Sequence, residues 1–111
     1  MDLKTLRDDL TWGLSKNLRS EDDELLYCVL EQFPLTAYSD LHQSNLSPLL
    51  ERADITKHEF EIAESIRNLF VELNNDLDAR SLEAIRGGDA RWKILFNLCD
   101  QLHASISKRL H

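Results

Sequence analysis

The sequence predicts an all-α protein: a single domain folded as an irregular helical bundle of about five to seven helices. Three observations lead there. Apolar residues recur with a period of about 3.6 along most of the chain. Helix start and stop signals fall where those stripes begin and end. Only 3 glycines and 2 prolines occur in 111 residues, too few turn formers for a chain of many short strands. The length suits one domain with one core.

Asp2 is placed to cap a first helix, and Leu3, Leu6, Leu10, Leu14 and Leu18 follow as a leucine stripe. Gly13 weakens the middle of that helix, and Arg19 suits its electronegative end. Ser20 reads as the cap of a second helix, with Glu21, Asp22, Asp23 and Glu24 at the positive end of its dipole. Leu25, Leu26, Val29, Leu30 and Phe33 give its buried stripe, and Pro34 stops it. Thr36, Ala37, Tyr38, Leu41 and His42 suggest a short helix. Ser47 and Pro48 read as the cap and first residue of another, which carries Leu49, Leu50 and Ala53.

Thr56-Lys57-His58-Glu59 is a capping box, in which hydroxyl and carboxylate each satisfy the other residue's free backbone N–H. It opens a long helix whose core face is Phe60, Ala63, Ile66, Phe70, Leu73 and Leu77. At about 100° per residue, Glu61, Glu64, Asn68, Glu72 and Asn75 lie on the opposite side. Ser81, Leu82, Ile85 and Arg86 form a further helical piece closed by Gly87-Gly88. Asp89 caps the last helix, with the stripe Trp92, Leu95, Phe96, Cys99, Leu102, His103, Ile106 and Leu110. Lys108 and Arg109 complement its dipole. Phe60, Phe70, Trp92, Phe96 and Leu102 are expected core residues.

The net charge of −7 is unevenly spread. Residues 1–78 hold 17 acidic and 7 basic side chains, a net −10; residues 79–111 hold 3 and 6, a net +3. The acidic part repels phosphate backbones and anionic lipid, so neither nucleic acid nor membrane is an expected partner. The first 18 residues carry Asp2, Lys4, Arg7, Asp8 and Asp9, which interrupt the apolar core a signal peptide needs. A cytoplasmic location is the expectation. Cys28 and Cys99 lie in apolar helical patterns and read as buried thiols.

Arrangements that carry chemistry are sparse. Gly87-Gly88 opens a helix but lacks the lysine and preceding strand of a phosphate loop. His58 with Glu61, and Asp100 with His103, have the spacing of bundle metal ligands. Glu61, however, points away from its helix's core stripe, and Asp100 lies at the edge of its own. No metal, cofactor or catalytic residue is expected.

Three features could serve a protein partner. They are the acidic run Glu21, Asp22, Asp23 and Glu24, the polar stripe Glu61, Glu64, Asn68, Glu72 and Asn75, and Trp12. The run also complements a helix dipole. The stripe also reads as a solvated face. Trp12 falls opposite the leucines, among Asp8, Asp9, Lys16 and Arg19; it is packed on a second helix, or placed by a helix break at Gly13, or exposed as an interface anchor. The expected function is a non-catalytic binding protein with a basic partner. Its most concrete form is an immunity protein or antitoxin that covers the cationic surface of a toxin such as a nuclease domain. The alternative is a helical regulatory adaptor that binds another protein through an apolar groove.

Overall fold

Local capping sets where each helix begins. The computed structural model describes residues 2–13, 24 and 41–110, with side chains in the first helix through Asp8. The described residues contain four α-helices and no strand. Helix α1 spans Leu3–Gly13, and the Asp2 carboxylate accepts from the Thr5 N–H at 2.7 Å, as its cap role requires. That hydrogen bond holds the Asp2 carboxyl below its ordinary range. Leu6 is buried and Leu3 packs against the core. The expected continuation to Leu18, the second helix from Ser20, and the stretch up to Asp40 lie outside the described residues.

Helix α2 spans Gln43–Glu51, and here the sequence expectation needs correction. The cap is His42, whose Nδ1 accepts from the Ser44 N–H at 3.1 Å, while Ser47 and Pro48 lie inside the helix. The fold tolerates Pro48 because Leu46 and Leu49 flank it and are fully buried. Pro48 itself is exposed, as is Ser44, whose carbonyl loses its donor. The helix ends in a Schellman turn: Asp54 N–H bonds Leu49 O at 2.8 Å and Ala53 N–H bonds Leu50 O at 3.0 Å. Ala53 occupies the left-handed position with φ of 60°.

Helix α3 spans Lys57–Asn74 behind the expected capping box. Thr56 N–H donates to Glu59 at 2.7 Å, and Glu59 N–H donates to the Thr56 hydroxyl at 3.1 Å. Its inner face is Glu59, Ile62, Ala63, Ile66, Phe70 and Leu73. Two members of the predicted stripe change place. Phe60 is half-buried at the core margin. Leu77 is 81% exposed, because the helix stops at Asn74 and the chain changes direction before reaching it. Asn74, Asn75 and Asp76 are short polar residues that compete for backbone partners and end helices. Asp76 then accepts from the Asp78 N–H at 3.1 Å and caps a 3-10 helix, Leu77–Arg80.

The Ser81 hydroxyl accepts from the Ala84 N–H at 3.0 Å and starts the next turn. A wide helical turn, Ala84–Gly88, closes through Gly87 at φ of 134°, a region reserved for glycine. Asp89 caps helix α4, Ala90–Arg109, by accepting from the Arg91 N–H at 3.0 Å. The buried residues of α4 are Trp92, Leu95, Phe96, Cys99, Leu102 and Ile106, as the stripe predicts. His103 is half-buried, and Leu110, past the helix end, is 36% exposed.

Helices α3 and α4 pack antiparallel: Glu59 near the start of α3 meets Arg109 at the end of α4, and Glu72 meets Arg91 at the other end. Their shared core holds Phe70 edge-on to Trp92, centroids 6.5 Å apart, and Trp92 against Phe96 at 5.9 Å. Trp92 Nε1 donates to Ala79 O at 2.7 Å, which pins the 3-10 turn to α4. Helix α1 packs on α4, and α2 on α3. None of the described helices is long and apolar enough to cross a membrane.

Candidate protein-binding surface

The capping box that starts α3 fixes the rotation of that helix, and with it the outward face. Glu61, Asn68 and Glu72 are exposed there, and Asn75 is the exposed C-cap. Glu64 is half-buried and accepts a hydrogen bond from Gln43 Nε2 of α2. Glu72 pairs with Arg91 at 3.2 Å. The stripe is therefore not a row of free carboxylates facing water, as the helical wheel suggests: Glu64 ties α3 to α2, and Glu72 ties it to α4. Of the three stripe glutamates, only Glu61 is left outward without such a tie among the described residues. Glu24 is an exposed helical residue. Glu21, Asp22, Asp23 and the Trp12 side chain lie outside the described residues.

Two charged constellations escape sequence reading. The first is centred on Arg91, whose guanidinium meets Asp89 at 2.6 Å, Asp76 at 2.8 Å and Glu72. One cation thus joins the end of α3, the cap of the 3-10 helix and the cap of α4. Its hydrogen bonds hold the Asp76 and Asp89 carboxyls below their ordinary range, and the same bonds, Asp89 foremost, raise the Arg91 guanidinium further. The second constellation is Glu59, 1% exposed, which accepts from Ser105 Oγ at 2.5 Å, from Arg109 and from the Thr56 N–H. Burial pushes this carboxyl up, but the hydrogen bonds from Arg109, Ser105 and Thr56 outweigh it and the net direction is down. A signal existed: Glu59 stands in register with Ile62, Ala63 and Ile66, on the inner face. Arg109 reaches it across the helix pair, a role beyond complementing its own helix dipole.

Beside Gly88 lies an open cleft of about 260 Å³, lined by Asp78, Ser81, Glu83, Ala84, Gly88 and Asp89. Three carboxylates on its walls make it a poor cradle for an anion and a good one for a cationic group. A second cavity, about 50 Å³ between Phe70, Asn74, Arg80 and Trp92, has room for little more than water. Cys99 carries a free thiol that burial, then the Asp100 charge, raises well above its ordinary value, which leaves it a poor nucleophile. Cys28 lies outside the described residues. Among the described residues, no three His, Cys, Asp or Glu side chains gather as metal ligands. His58 and Glu61 are both exposed, and Asp100 and His103 are half-buried.

The chain matches no protein-family model, no curated protein and no solved structure.

Proposed function

We propose that this chain is a non-catalytic cytoplasmic binding protein whose partner is a basic protein. In its most concrete form it is an immunity protein or antitoxin that covers the cationic surface of a nuclease-type toxin domain. The observation that supports this reading is the concentration of negative charge, a net −10 over residues 1–78, part of it displayed on the outer side of α3. A nuclease must present positive charge to phosphates, and an acidic surface can cover it. Such complementarity raises association rates about 10- to 1,000-fold at low salt.

The test measures binding to, and inhibition of, purified cationic nuclease toxin domains, at low and high salt. Association should slow about tenfold or more as salt rises and screening shortens to a few ångströms. Three variants divide the surface. The first joins Glu61→Lys with Asn68→Lys, since Glu64 and Glu72 have internal partners. The second reverses Glu21, Asp22, Asp23 and Glu24 to lysine, and the third is Trp12→Ala. Binding that ignores salt and all three variants rejects an acidic interface and favours the apolar-groove adaptor.

A further inference from the structure

Of the exposed large apolar side chains among the described residues, Leu77 is 81%, Ile94 53% and Leu110 36% accessible. Ile94 follows Lys93, and Leu110 follows Lys108 and Arg109. Leu77 alone of the three stands between carboxylates, in Asp76-Leu77-Asp78. The turn that carries it is tethered. Asp76 caps its turn, Arg91 ties Asp76 to Asp89, and the carbonyl of Ala79 accepts from Trp92 Nε1. A tethered turn has little backbone freedom left to lose when its side chain is covered.

The cleft begins at the next residue. Asp89 is committed to Arg91, but Asp78 and Glu83 make no side-chain hydrogen bond or ion pair among the described residues. A volume of about 260 Å³ admits the head of a lysine or arginine. Gly88 keeps the wall close: a Cβ there would stand 3.0 Å from the Glu83 carbonyl oxygen. The same segment exposes two cations, Arg86 and Arg80, the latter lining the small cavity with Phe70 and Trp92; Asp76, Asp78, Glu83 and Asp89 outnumber them four to two.

We propose that this end of the bundle is the docking surface for a basic protein partner. Leu77 enters an apolar patch of the partner, and one lysine or arginine of the partner enters the cleft between Asp78 and Glu83. The proposal rests on the reading of the chain as a binder of a basic protein, and moves the contact from the middle of α3 to the 3-10 turn. The occupant follows from charge complementarity. Carboxylates beside an apolar knob select a surface that is both apolar and cationic, and they repel acidic competitors.

The test is an amide-resolved NMR titration of the full chain at low salt. The probe is an amidated hexapeptide of alternating leucine and arginine, and the control replaces arginine by glutamate. Shifts are expected at residues 77–89 with the cationic probe and nowhere with the acidic one. Asp78→Lys with Glu83→Lys should abolish them, and the milder Asp78→Asn with Glu83→Gln should weaken binding with the fold's dispersion unchanged. Leu77→Ser should weaken binding about tenfold or more, the value of one covered leucine. Glu61→Lys with Asn68→Lys should bind as the parent does. Salt-sensitive shifts on the outer face of α3, lost in Glu61→Lys with Asn68→Lys, would overturn this site and leave the basic-partner reading standing. An absence of shifts, with the toxin domain also unbound, would overturn both.

Discussion

Glu59 keeps its charge inside the protein because three donors converge on it, from Arg109, Ser105 and the Thr56 backbone. The two ends of its ion pair are unequal. The Glu59 side chain is 1% exposed and that of Arg109 33%, so only the arginine can turn to water when its partner is removed. Arg109→Met strands a buried carboxylate and should cost about 3–5 kcal/mol at neutral pH. Glu59→Gln leaves a cation that water can reach, and should cost about 1–3 kcal/mol. The pH dependence follows from the direction of the Glu59 shift. A carboxyl whose folded value lies below its unfolded one, about 4.3, stabilises fully above that value and loses its effect as pH falls through the lower one. The penalty of Arg109→Met should shrink as pH falls, beginning at higher pH than in the parent, because without Arg109 burial raises the Glu59 carboxyl and it takes up a proton sooner. Urea denaturation of both variants across that range checks the pair. Equal costs at neutral pH would contradict the asymmetry.

Two backbone positions carry the geometry of their elements in opposite ways. Ala53 stands where the Schellman turn of α2 requires a positive φ, 60°, a conformation costing an L-residue about 1–2 kcal/mol. Glycine relieves that strain but adds freedom to the unfolded chain worth about 0.4–1 kcal/mol. Ala53→Gly should therefore raise stability by up to about 1.5 kcal/mol. Gly87 meets the opposite demand. An added Cβ there would find nothing within 4 Å, yet φ is 134°. Gly87→Ala should thus lose about 1–3 kcal/mol from backbone strain alone. Melting temperatures of the two variants should move in opposite directions.

Across the whole molecule, the antiparallel pair α3 and α4 organises the core, and Trp92 is its joint: Phe70 and Phe96 both lean on its ring, and its Nε1 holds the Ala79 carbonyl. Phe70→Ala and Phe96→Ala should each cost about 3–5 kcal/mol. Because they share Trp92, the double variant should depart from additivity by about 0.5 kcal/mol or more. Denaturant titration of the two single variants and the double variant measures this, and losses under about 1 kcal/mol in both singles would place the core elsewhere. The same helix pair sets the surface. It turns Glu61 and Asn68 outward and carries Leu77 to the end of the bundle, beside Asp78 and the cleft.

What the sequence determined by itself is what is encoded within a few residues. The caps Asp2, Thr56 and Asp89, the capping-box partner Glu59 and the stripe of α4 were legible because hydroxyl, carboxylate and backbone lie within one helical turn of each other. The periodicity of α3 was also legible, but not its end. The apolar spacing runs through Leu77, whereas the capping preference of Asp76 ends the helix sooner. The start of α2 departs from its local signal for a related reason. Ser47-Pro48 is a good local start signal, and it is overridden by the burial of Leu46 and Leu49 in one continuous helix. The candidate surface was half legible: the wheel gives the direction of Glu61, Glu64, Asn68 and Glu72 but not their partners. The rest belongs to tertiary structure. Glu59 and Arg109 stand 50 positions apart, Glu64 and Gln43 21, and Arg91 and Asp76 15. No local rule pairs them; they meet because helices dock where their apolar faces bury the most surface, and the polar groups brought together must then satisfy one another.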